Sequence, residues 1–146
     1  MNFRRIALVA LFATGIAAIT GCAQMEQKMG MDTPMMTVPL SASQEVPQNS
    51  SNGRGTAKID LDGSKLKWTI DYSGMSGPVT AGHIHGPAMM GSNAGVVIPF
   101  TGSMASPIVG SADVTAAQIA DMKAGKYYIN LHTAANPGGE IRGQIK

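Results

Sequence analysis

Cysteine is almost missing from this chain. Cys22 is the sole one in 146 residues, so no disulfide can close within the molecule, and its place at the end of an apolar run accounts for it better than redox chemistry does. Aromatic residues are scarce at 5%, while glycine is frequent at 18 residues, a balance that favours short strands joined by turns over a helical bundle. Charge of either sign is also sparse. The formal net charge is +2, and setting aside Arg4 and Arg5, which lie in a segment expected to be removed, leaves 9 basic residues against 9 acidic ones. A neutral domain has no electrostatic footprint for nucleic acid.

Catalytic motifs are lacking too. No Gly-x-Ser-x-Gly is present, the glycines are not spaced as a phosphate loop, and Asp and Glu sit singly in turns or on faces expected to be solvated. Asp60, Asp62 and Asp71 are explained by a hairpin edge more simply than by calcium. The expectation is a protein that is not an enzyme. At this length the chain supports a single domain with a real core, and no internal repeat divides it.

The N-terminus reads as an export signal. Met1 to Arg5 is short and basic, Ile6 to Ile19 is apolar apart from Thr14 and Gly15, and the run is short for a membrane-spanning helix. Its end, Ile19-Thr20-Gly21-Cys22, resembles the lipobox of bacterial lipoproteins. That resemblance implies cleavage before Cys22 and lipidation of its thiol, with the membrane as partner through the lipid. Ala23 follows, so the acidic residue associated with inner-membrane retention is absent, and the expected location is the bacterial cell envelope, at the outer membrane or periplasm of a Gram-negative cell. Residues 22–37 form a tether rich in methionine (Met25, Met29, Met31, Met35 and Met36). Thioether sulfur suits Cu(I), although methionine also serves as a generic flexible filler.

Beyond the tether, residues 38–146 alternate with a period of two. Ala57, Ile59 and Leu61, then a turn at Asp62-Gly63-Ser64, then Leu66, Trp68, Ile70 and Tyr72 predict a hairpin with one buried face and Trp68 as its largest member. Gly95 to Phe100 is continuously apolar and predicts a well-buried strand; Ile108 to Ala112 predicts another. Ala116 to Lys123 predicts one short helix, capped by Thr115 or Asp113 and ended near Gly125. About eight short strands with one short helix argue for an all-β, antiparallel Greek-key β-sandwich or barrel.

All three histidines fall in two of these strands. Residues two apart on a strand share a face, so His83 and His85 lie together opposite Ile84, and His132 lies with Tyr128 and Asn130 opposite Ile129 and Leu131. With the apolar faces turned to the core, all three imidazoles look outward, and they converge if the strands are sheet neighbours. A His-x-His pair plus a third histidine suits copper, or zinc as the alternative, with Met89 and Met90 in the following loop as auxiliary ligands. The competing reading is that the imidazoles hold the sheet by hydrogen bonds, for example from His85 to a loop carbonyl. Arg142 faces the same way, as an anion binder or in a cross-strand ion pair.

The segments Gly82-His83-Ile84-His85-Gly86-Pro87-Ala88, Tyr127-Tyr128-Ile129-Asn130-Leu131-His132-Thr133 and Pro137-Gly138-Gly139-Glu140-Ile141-Arg142-Gly143-Gln144-Ile145, with the opening Leu40-Ser41-Ala42-Ser43-Gln44-Glu45-Val46-Pro47, resemble the CHRD domain, the module repeated in chordin and found singly in many microbial proteins. Microbial members are similar in fold and location more than in any assigned activity. The arrangement of histidines also resembles one half of the copper site of copper–zinc superoxide dismutase, but the chain has too few histidines for that enzyme's full set. Three roles therefore stand, in order of preference. They are metal storage, buffering or delivery in the envelope; a non-enzymatic interaction module with an envelope protein as its unidentified partner; and a dismutase-like copper enzyme.

Overall fold

The computed structural model describes residues 36–146. The signal segment 1–21, the lipidation residue Cys22 and the tether up to residue 35 lie outside the described residues. Eight strands and one helix follow in the order β1 (Met36–Ser41), β2 (Arg54–Asp62), β3 (Lys65–Ser73), β4 (Val79–His85), β5 (Val96–Pro99), β6 (Ile108–Asp113), α1 (Ala116–Lys123), β7 (Tyr127–Thr133) and β8 (Ile141–Ile145). β1 starts two residues ahead of the boundary drawn at 38, and Met36 packs against the core.

The hairpin forms as its alternation dictates. Ala57, Ile59 and Leu61 of β2 and Leu66, Trp68 and Ile70 of β3 are buried, while Lys58, Lys65 and Lys67 between them are exposed. Gly63 begins the turn with φ +61°, a backbone state that glycine adopts without a Cβ penalty. At α1, Thr115 accepts a hydrogen bond from the Gln118 amide while the Gln118 side chain accepts from the Thr115 amide, a reciprocal capping box. Gly125, at φ +71°, lies just beyond its end.

All strand pairs are antiparallel and form a single sheet in the order β5-β4-β7-β8-β1-β2-β3-β6. The sheet rolls up on itself. Trp68 of β3 stacks on Phe100, the residue after β5, at 4.8 Å and 29°, although their strands lie near opposite ends of the sheet order. Edge strands β5 and β6 do not pair, so the result is a nearly closed all-β barrel, as the alternation predicts. Two glycines make room for the aromatic pair. A Cβ on Gly110 would stand 2.5 Å from the Trp68 ring, and one on Gly82 would stand 2.6 Å from the Phe100 ring.

Two expectations need correction. The apolar run Gly95 to Phe100 is not a well-buried strand: β5 is short, lies at the sheet edge, and leaves Val96 51% exposed. A continuous apolar run does not distinguish a central strand from an edge strand that covers a seam. The outer faces of β7 and β8 are not wet either. Every residue of both strands is buried, because residues 43–51 and 86–95 fold over the face turned away from the barrel core.

Candidate metal centre

The sheet order makes β4 and β7 neighbours, which is the condition for the histidines to meet. The register sets Ala81 opposite His132, His83 opposite Asn130 and His85 opposite Tyr128. His83 and His132 are therefore diagonal neighbours on one face, within reach of each other's rings. Their Nδ1 and Nε2 atoms lie 3.0 Å apart. One ring nitrogen from each of His83, His85 and His132 falls within 4.8 Å of the others. A tetrahedral metal with bonds of 2.0–2.1 Å needs ligand atoms about 3.3 Å apart, so the spacings of the cluster bracket the requirement.

The surroundings decide which nitrogens are free. His132 Nδ1 donates to the Pro137 carbonyl and His85 Nδ1 donates to the Ala94 carbonyl, each at 3.0 Å. A carbonyl only accepts, so both rings carry the proton on Nδ1 and present an Nε2 lone pair when neutral. His132 Nε2 takes the His83 Nδ1–H, whereas His85 Nε2 is buried and has no hydrogen-bond partner among the described residues. An unpartnered buried nitrogen normally costs stability, so a free acceptor within a cluster of three imidazoles fits a cation. Burial lowers the pKa of all three rings below 6.5, with their mutual repulsion adding to it at His83 and His85. Neutral rings are the form that ligates.

Aromatic stacking stiffens the cluster. His85 lies flat on Tyr128 at 4.8 Å and 2°, and the Arg142 guanidinium carbon sits 3.4 Å from the centre of the Tyr128 ring. Strand order places Tyr128 between the other two, so the three planes form one stack across β4, β7 and β8.

The family model of the CHRD domain matches residues 36–145, most of the chain. The chain is a member of the CHRD domain family. No curated protein and no solved structure matches it significantly. Within this CHRD domain, the four segments that carry the resemblance come together around one face. The Gly82 and Tyr127 segments supply the histidines. The closing segment supplies the Pro137 carbonyl and Arg142, and the opening segment supplies Glu45, whose carboxylate accepts from Asn130 at 2.6 Å.

Met89 and Met90 stand elsewhere. They are 61% and 56% exposed and line a depression with Lys123, Gly125, Gln144 and Lys146, into which no histidine projects. Sequence reasoning missed the buried carboxylates. Glu140 is fully buried and accepts from the Ser51 hydroxyl and from both the amide and hydroxyl of Ser76, each at 2.6 Å, and from the Thr133 hydroxyl. Burial opposes its ionisation, but these donors together hold its pKa down at about 2. Glu45 goes the other way, pushed up to about 7 by burial against the pull of Arg142 and Asn130. Neither cross-strand pairing nor alternation signals them, since both glutamates sit outside the strands and their donors stand far along the chain or across a turn. Arg142 is 1% exposed and belongs to none of the salt bridges among the described residues, so the ion-pair reading fails as well.

Proposed function

We propose that this CHRD-family protein is an envelope lipoprotein, anchored through a lipid on Cys22, that binds a transition metal through His83, His85 and His132 and serves in its storage, buffering or delivery. Copper is the metal we favour and zinc the alternative, since a set of neutral imidazoles suits both. The observation that carries the reading is the convergence of one ring nitrogen from each of His83, His85 and His132 within 4.8 Å, with His85 Nε2 buried and unpartnered among the described residues and carbonyls fixing the Nδ1 protons of His85 and His132. The role is non-enzymatic. Met89 and Met90 are not required for affinity, and the Met-rich tether is an auxiliary source of soft ligands.

Metal titration of the full-length protein with Cu(I), Cu(II) and Zn(II) tests this, comparing it with His83→Ala and His132→Ala. Stoichiometric binding that both substitutions abolish is the expected result. Weak binding indifferent to either substitution would overturn the reading. It would leave a second one, an interaction module, which the two edges left unpaired among the described residues favour: β5 exposes Val96 (51%) and β6 exposes Val109 (64%).

A further inference from the structure

Arg142 is a charged side chain in a place that charges avoid. It is 1% exposed, the Glu45 carboxyl whose charge it feels forms no ion pair with it, and burial lowers its pKa. Removing a guanidinium from water costs several kcal/mol unless its donors are satisfied. Its two shorter hydrogen bonds both go to one loop. Nη1 donates to Asn93 Oδ1 at 3.0 Å and Nη2 donates to the Ser92 carbonyl at 2.7 Å, with a longer contact from Nη2 to Gln144 Oε1 at 3.4 Å. Ser92 and Asn93 themselves are exposed, so the arginine reaches up from the sheet to hold a surface loop down.

The same loop ends at Ala94, and three contacts converge there. The Tyr128 hydroxyl accepts from the Ala94 amide at 3.1 Å and donates to the Ala94 carbonyl at 3.3 Å, and His85 Nδ1 donates to that carbonyl at 3.0 Å. Arg142 also lies against the face of Tyr128, whose ring lies flat against His85. A single buried cation thus fixes both the loop that offers the carbonyl and the ring that backs the imidazole. His132 is oriented independently, by Pro137 of the turn between β7 and β8.

We propose that Arg142 is a positioning residue for the metal centre, holding residues 92–94 so that the Ala94 carbonyl keeps the His85 proton on Nδ1 and its Nε2 free to ligate. This rests on the metal reading above, but its first consequence is visible without metal. Lysine keeps the charge yet cannot span Asn93 and Ser92 with a planar fork, so Arg142→Lys releases the loop. Asn93→Ala cuts one arm of the clamp at an exposed position and leaves the barrel core intact.

The test is nitrogen-15 NMR of the imidazoles in the metal-free full-length protein, followed by titration with Cu(II) and Zn(II). In the native protein His85 and His132 both show the Nδ1–H tautomer. Arg142→Lys is expected to give His85 a mixture of tautomers while His132 keeps its own, and to weaken metal binding about 10–100-fold, the usual effect of losing a group that orients a ligand. Asn93→Ala shifts His85 in the same direction by less. A folded Arg142→Lys protein with the His85 tautomer unchanged overturns the proposal, as does a changed tautomer with native metal affinity. Should Arg142→Lys fail to fold, an Asn93→Ala protein with His85 unaltered overturns it. A tautomer shift confined to His85 in a protein that binds no metal supports the positioning role and removes the metal reading instead.

Discussion

Substituting Glu140 by glutamine is the sharpest test of how the loops are held over the sheet. The carboxylate is fully buried and accepts four hydrogen bonds, from Ser51, from Ser76 twice and from Thr133. Glutamine has the same shape, and the Ser76 and Thr133 hydroxyls can turn to accept from its amide. What is lost is the charge. Hydrogen bonds to an ionised group are about twice as strong as neutral ones, so downgrading four of them by roughly 0.5 kcal/mol each removes about 2 kcal/mol. The pKa gives an independent figure. A fall from 4.5 to about 2 sets a ceiling of about 3 kcal/mol.

The sign follows from proton linkage. Because the folded-state pKa of Glu140 is depressed, its contribution is complete above pH 4.5 and is lost as the pH falls from 4.5 towards about 2. Urea unfolding of the full-length protein at pH 7 should therefore show Glu140→Gln less stable by about 2 kcal/mol, with the gap to the native protein closing at acid pH. A variant within 0.5 kcal/mol of native at pH 7, or a gap that persists unchanged at pH 2.5, would refute the claim that Glu140 is held ionised by these donors.

Glu45 should behave oppositely. Its folded-state pKa of about 7 lies above the ordinary 4.5, so it favours the fold most below pH 4.5 and progressively less up to pH 7. Glu45→Gln, which keeps the acceptor for Asn130, is expected to flatten that decline and to gain about 1–2 kcal/mol at pH 8, read by denaturant unfolding; a loss of stability at pH 8 would show that attraction to Arg142 outweighs burial. Gly110→Ala pushes a methyl group to 2.5 Å from Trp68 at the point where the barrel closes. It should cost about 1–3 kcal/mol and alter Trp68 fluorescence, whereas an unchanged unfolding midpoint would mean that the indole has room to move.

The strands were legible because strand geometry is local. Ala57 to Leu61 and Leu66 to Ile70 alternate, and a period of two with a glycine turn between them admits one reading. Thr115 and Gln118 likewise mark the start of α1 by their own spacing. That the three histidines share the face away from Ile84, Ile129 and Leu131 also follows from parity alone. Residues 95–100 misled because hydrophobicity reports burial of side chains and not position in a sheet, and β5 needs Ile98 and Phe100 inside only to cover the seam.

By itself, then, the sequence determined the strands, helix α1, the inward set of apolar residues and the shared outward face of His83, His85 and His132. Only the tertiary structure decided that β4 lies beside β7, bringing His83 and His132 to 3.0 Å. It alone decided that residues 43–51 and 86–95 bury that face, making Glu45, Glu140 and Arg142 interior groups. The physical reason is range. Periodicity is written between residues two or four apart, whereas the partners of these groups stand far along the chain, as Glu45 does from Asn130 and Arg142 from Ser92. No local pattern encodes a hydrogen bond that exists only after the sheet has rolled up and its loops have folded back.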